Sequence, residues 1–320
     1  MKLSLVKNGD AEPFPVISVN GESWYRSCDL LPEPAGKTVI EILAYEKANP
    51  GKLAQAIAAK AGSLDRVDIS QSVGMMPFQP KAYRDFMLYE KHCIDASRGF
   101  VKKYLPRLMP VIGVYEKLSG KPFPKLKPKK RWYKHPIYYL GNHLNFVTDK
   151  DPVTIPSYTR ELDYELELGV VICAPLKNAS PAEAEKAMGG FVVFNDFSAR
   201  DVQMDEMASG FGPMKAKNFA NAISNIVVSA DEILPVIDQL QVSVHINNEK
   251  IATANTAGMH YSLAEAIAYA SWEEQLHPGE FFGSGTVPGC SGMENGSLLT
   301  RNDSIRLEIK GVGILENSVV

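Results

Sequence analysis

The stretches YELELGVVI (164–172) and FVVFNDFSARDVQ (191–203) decide how this 320-residue chain is read. In the first, Glu165 and Glu167 alternate with Tyr164, Leu166 and Leu168. That is the period of a strand, and it puts both carboxylates on one face, where they can converge on one cation. A lone E-x-E also describes a strand with one wet face. In the second stretch a hydrophobic strand ends at Asp196, a place where sites are often built. Asp196 would otherwise cap the helix that the following turn begins. Upstream, YRDFMLYEKH (83–92) sets Asp85 and His92 seven residues apart, nearly two helical turns. Phe86, Tyr89, Cys93, Ala96 and Phe100 recur at helical spacing, so one amphipathic helix carrying Asp85 and His92 on a shared face is predicted. Taken alone, such a face is more often a solvated or satisfied polar one than a site. Together these acids offer hard oxygen donors and no soft cluster, which favours Mg²⁺, Mn²⁺ or Ca²⁺ over Zn²⁺. Arg200 and Lys217 are candidates to balance the negative charge.

Working outward, 45% of the residues are apolar and 22% charged, with 34 Lys and Arg against 37 Asp and Glu, a net charge of -3. Those figures exclude collagen-like, disordered and disulfide-scaffold classes. Short strand patterns at 3–6 and 14–19, then helices at 38–48 and 52–61 split by Asn49-Pro50-Gly51, predict a small N-terminal α/β domain over 1–80. The Pro-rich passage at 75–81 is its boundary, and 81–320 forms the second domain. There a hairpin is expected at 242–254 around Asn247-Asn248, a helix at 262–271 and a closing hairpin at 304–315. The whole reads as a strand-rich α/β chain without the regular alternation of a doubly wound sheet.

Cys28, Cys93, Cys173 and Cys290 are widely separated and form no CxxC, which fits reduced thiols in the cytoplasm. No 18-residue window is free of charge, so no membrane span is expected. GxSxG, GxxxxGK[ST] and HExxH are absent, which argues against a serine hydrolase, a P-loop enzyme and a zincin.

The charge is unevenly spread. Residues 101–134 hold 11 Lys and Arg and one acid, Glu116, leaving 23 basic and 36 acidic groups on the remainder. This Pro-rich basic segment reads as a solvated loop. The other readings are a lid drawing in an anionic substrate, or a nucleic-acid-binding patch with interleaved aromatics.

The motifs YELELGVVI, FNDFSARDVQ, GPMKAKNF and PGEFFGSGTVPG together resemble the fumarylacetoacetate hydrolase superfamily over most of 81–320. The resemblance implies a mixed β-roll or barrel catalytic domain behind a small N-terminal domain, and a homodimer. It implies that Asp85, Glu165, Glu167 and Asp196 bind a divalent metal, with His92 as catalytic base. Arg200, Gln203 and Lys217 match the family's substrate-contacting residues, and Thr286 matches the threonine that meets the substrate carboxylate. The acid orienting the histidine departs from the pattern. Thr300 stands at its place in fumarylacetoacetate hydrolase itself, whereas Asp95 matches the position used by smaller relatives, with Glu294 in reserve.

The expected chemistry is C–C bond hydrolysis of a 1,3-diketo or acylpyruvate-type acid, with Asp95 orienting His92 and Lys217 assisting. A role in the breakdown of aromatic compounds goes with it. Isomerisation, decarboxylation or lyase chemistry on a 2-oxo acid could use the same site. A binding protein that uses the basic segment is the non-enzymatic alternative.

Overall fold

The computed structural model describes residues 1–32, 34–60 and 62–320. At its centre, strands Leu166–Ile172 and Met188–Asn195 are buried at every residue. They pair antiparallel, with Leu166 opposite Asn195 and Val170 opposite Phe191. Apart from Glu167 and Asn195, their side chains are apolar or absent on both faces, as a central strand requires. The chain between them turns through helix Pro181–Ala187, which Ser180 and Glu183 close with a reciprocal capping box.

The other edge of Leu166–Ile172 takes strand Phe281–Gly283, which in turn runs parallel to Tyr83–Phe86, with Gly283 opposite Asp85. This pairing corrects the expectation of one helix over 83–100. Residues Tyr83–Phe86 are drawn into the sheet as a strand, and the helix starts only at Glu90, running to Tyr104. Asp85 and His92 therefore sit on different elements.

The N-terminal strands join the same sheet as the central strands of the rest of the chain. Strand Lys2–Lys7 pairs with Phe14–Ser18 and Val73–Met75 and also with Ile226–Ser229. Leu3, Ile17, Ile42 and Leu43 share one apolar cluster with Val171, Phe194 and Phe281. Helices Val39–Ala48 and Lys52–Lys60 flank this sheet, and position 61 of the predicted second helix lies outside the described residues. A second sheet holds Glu249–Asn255, Gln241–Ile246, Ser304–Ile309, Gly313–Val319 and Pro152–Val153 in that order. Its hairpin turns at Asn247 and Asn248, whose φ values of 52° and 66° are those a tight primed turn needs.

The basic segment is a loop only in its second part, beyond Ser119. It holds the end of helix Glu90–Tyr104 and a second helix, Met109–Ser119, with Pro110 in its first turn, where proline is tolerated. Ile112 and Leu126 pack on Ile94. Trp132 is buried, and its Nε1–H donates to the Met87 carbonyl at 2.6 Å. That ring, packed on Tyr133 and His260, is not available to stack on a base. Among the described residues no helix is long and apolar enough to cross a membrane.

Candidate metal centre and its histidine

Three of four neighbouring strands deliver the acids. Asp85 comes from Tyr83–Phe86, Glu167 from Leu166–Ile172, and Asp196 from the residue after Met188–Asn195. Each offers a carboxylate oxygen within 4.8 Å of the others, and all three are buried. The fourth strand, Phe281–Gly283, contributes an absence of side chain. A Cβ on Gly283 would stand 2.4 Å from Asp85 Oδ1 and 2.7 Å from Glu167 Oε2. The acids thus close over a position that only glycine leaves open.

Asp85 Oδ1 is buried without a hydrogen-bond partner, a costly arrangement unless something else satisfies it. An all-oxygen donor set, an orphaned carboxylate oxygen and a glycine cradle fit a hard divalent cation. Alanine at Gly283 is expected to weaken Mn²⁺ binding about 10- to 100-fold or more, because it displaces two donors at once. Titration calorimetry checks this, and an unchanged affinity would contradict the cradle.

Glu165 borders the cluster but faces its cations. Its Oε1 accepts from Arg200 Nη2 at 2.5 Å, and its Oε2 accepts from Lys217 Nζ at 2.6 Å. The same Nζ donates to Asp196 Oδ2 at 2.5 Å, so Glu165 and Asp196 are joined through one ammonium. Tyr139 donates its hydroxyl to Asp196 Oδ1 at 2.8 Å.

The electrostatics follow from burial and neighbours. Burial first, and then the neighbouring carboxylates including Glu165, push the carboxyls of Asp85, Glu167 and Asp196 well above the ordinary range, against the opposing charge of Lys217. Glu165 is buried too, but Arg200, Lys217 and His92 outweigh burial and hold its carboxyl below that range. Burial keeps the Tyr139 phenol neutral and hence a donor.

His92 sits on helix Glu90–Tyr104 and turns inward, with Nε2 3.7 Å from Glu165 Oε1. Nδ1 lies 3.1 Å from Glu294 Oε2, a close ion contact whose N–H direction is off the line of a hydrogen bond. Burial opposes a charged imidazole here, yet Glu294 and Glu165 prevail and raise its pKa.

Asp95 is not the acid beside the histidine. Its Oδ1 pairs with Arg98 Nη1 at 2.6 Å, its Oδ2 with Lys91, and Arg98 continues to Glu116 at 2.9 Å. The pairs with Lys91 and Arg98 are one helical turn apart on the partly exposed surface of the helix, and they engage both Asp95 oxygens. Glu294 comes instead from the short helix Gly292–Asn295, with Oε1 accepting from Gly289 N–H at 3.0 Å and Oε2 from the Ser291 hydroxyl at 2.9 Å. Thr300 turns its N–H and hydroxyl to Asp303.

Arg200 opens helix Arg200–Ala208, and its Nη1 donates to Gln203 Oε1 at 2.8 Å. Thr286 is buried one residue beyond Gly285, whose N–H donates to Glu167 Oε2 at 2.8 Å. Two further residues belong to the site and escaped the sequence reading. Tyr139 gave no signal. Asp163 stood in plain view, since the alternation that pairs Glu165 with Glu167 extends back to it.

A strand-rich fold holding a buried carboxylate cluster that could take a cation, beside a histidine–carboxylate pair, defines the class. Within that class, the sequence model of the fumarylacetoacetate (FAA) hydrolase C-terminal family matches residues 117–320, and the chain belongs to this family. Asp85 and His92 lie ahead of the matched region. A mitochondrial oxaloacetate tautomerase of Rattus norvegicus is 29% identical over 190 residues, 58% of this chain and 59% of that protein. The chain thus matches less than two thirds of that relative's length. Among solved structures, the fumarylacetoacetate hydrolase of Exiguobacterium antarcticum aligns at a TM-score of 0.71 and 18% identity, covering 100% of this chain and 99% of the other. A maleylpyruvate hydrolase of Sphingobium sp. SYK-6, solved with manganese(II) and pyruvate, aligns at 0.67 and 18%, again over 100% and 99%. Hydrolases, an isomerase and tautomerases thus occur among the similar proteins.

Proposed function

We propose that this protein hydrolyses a C–C bond in a 1,3-diketo or acylpyruvate-type acid. The observation that carries the reading is the His92–Glu294 pair set against the carboxylate cluster, because a base beside the site is what water attack requires. Asp85, Glu167 and Asp196 would hold Mg²⁺ or Mn²⁺, with Glu165 beside them engaged by Arg200 and Lys217; the ion when bound supplies Lewis acidity to a 2-oxo acid. His92 takes a proton from water through Nε2, and Glu294 orients the ring and offsets the imidazolium charge. The water oxygen bonds to the distal carbonyl carbon. The C–C bond then breaks, and its electron pair passes to the enolate of the 2-oxo acid. Lys217 and Arg200 donate hydrogen bonds to the oxygens that gain charge. His92 returns the proton to the enolate carbon, giving a carboxylic acid and a 2-oxo acid.

Glu294→Gln is expected to lower kcat by about 10²-fold or more, as neutralising the acid behind a catalytic histidine does. Asp95→Asn should leave kcat unchanged. The reverse pattern in steady-state assays would return the role to Asp95. The reading itself is tested by release of pyruvate from acylpyruvates in the presence of Mn²⁺.

A second reading, enol–keto interconversion of oxaloacetate, is favoured by the similarity to the rat tautomerase. It would use the same base without water attack. A homodimer working in the cytoplasm is supported by the family resemblance, by free cysteines, and by the exposed apolar side chains of Val111, Val114, Leu118 and Phe211. Light scattering checks the dimer.

A further inference from the structure

Asp163 is fully buried, two residues ahead of Glu165 and outside the acid cluster. Its carboxylate accepts four hydrogen bonds. Oδ2 takes Arg200 Nε–H at 2.7 Å and Met293 N–H at 2.9 Å. Oδ1 takes Gly292 N–H at 2.6 Å and Tyr164 N–H at 2.7 Å. Two of these donors open the short helix that carries Glu294, and a third is the guanidinium that reaches Glu165 and Gln203.

We infer that Asp163 is a positioning residue, a single buried carboxylate that fixes Arg200 and the Glu294-bearing turn in one frame. Arg200 and Glu294 lie far apart in sequence, and Asp163 hydrogen-bonds to both segments. A guanidinium held at Nε as well as at both Nη atoms has no freedom to swing about its long side chain. The turn is clamped just as closely, since a Cβ on Gly292 would meet Asp163 Oδ1 at 2.4 Å. Through these bonds Asp163 sets the separation between the acid behind His92 and the cation beside Glu165. Its catalytic meaning rests on the proposed hydrolysis. Its positioning role does not.

The test is Asp163→Asn in the full-length protein. The amide keeps the size of the side chain but turns an N–H toward one set of donors, so Arg200 or the turn loses its acceptor. Two readouts separate positioning from mere structure. In ¹H–¹⁵N spectra the Arg200 Nε–H, assigned by its disappearance in Arg200→Lys, should be protected from exchange in the wild type and should move in Asp163→Asn. In kinetics, kcat should fall about 10- to 100-fold, and Asp163→Asn should add little to the loss already caused by Glu294→Gln. An unmoved Arg200 signal, wild-type kcat, or losses that multiply would each overturn the inference. If the wild type cleaves no diketo acid, the hydrolysis reading fails, and the Arg200 signal still decides the positioning role. If Asp163→Asn does not fold, Gly292→Ala strains the same contact from its other end and should shift the same signal. No shift there would also overturn it.

Discussion

Replacing His92 by alanine is expected to lower kcat for diketo-acid cleavage by about 10²- to 10⁴-fold, the contribution of a positioned general base. The protein should remain folded. Glu294, which loses the imidazole, is still held by the Gly289 N–H and the Ser291 hydroxyl, so no carboxylate is left buried without a donor. The acids of the cluster do not depend on His92 for their own hydrogen bonds, and Mn²⁺ affinity should survive. Calorimetry and steady-state kinetics on the same preparation check both halves. A variant that keeps its rate would remove the base from the scheme. A variant that loses its metal as well would show that His92 shapes the cluster.

Removing the cation is the second large effect. EDTA, or Asp196→Ala, is expected to abolish turnover, because the Lewis acid and two anchoring contacts go together. The pH dependence of stability should carry the same signature. Without a cation, folding raises the pKa values of Asp85, Glu167 and Asp196. The fold therefore binds protons more tightly than the unfolded chain does. The stability this contributes is present below the ordinary carboxylate range, about pH 4, and is lost as pH rises through the elevated folded values. A divalent cation takes the place of those protons and needs the carboxylates ionised. Thermal melts should show that the stabilisation by Mn²⁺ grows as pH rises above the ordinary carboxylate range. A shift independent of pH would contradict the raised carboxyls.

The acids Glu165, Glu167 and Asp196 stood out as candidates because their signal is local. A strand's alternation places Glu165 and Glu167 on one face, and a strand end marks Asp196, whatever the rest of the chain does. Asp85 and His92 were identified by their spacing, but only His92 lies on the expected helix, while Asp85 belongs to a strand. Residues Tyr83–Phe86 become a strand only because Phe281–Gly283, far along the chain, runs beside them, and periodicity within 83–100 cannot report that. The acid beside His92 was hidden for the same reason. Asp95 lies one helical turn away in sequence, yet Lys91 and Arg98 hold it outward, while Glu294 arrives from a distant turn. The basic segment misled through its prolines. Proline reads as loop, but Pro110 sits in the first turn of a helix, where its missing N–H costs nothing.

The resemblance extends from the motifs at 164–203 to the whole chain in the structural alignments, and the family's chemistry includes more than one outcome at such a site. Hydrolysis and tautomerisation differ in whether the carbon skeleton is cut. The most direct test incubates the Mn²⁺-loaded protein with acetylpyruvate and measures pyruvate formed per diketo acid consumed, with His92→Ala alongside. The account predicts one pyruvate for each acetylpyruvate lost, and neither change with the variant. Acceleration of oxaloacetate enol–keto interconversion with no pyruvate released from any acylpyruvate would contradict it.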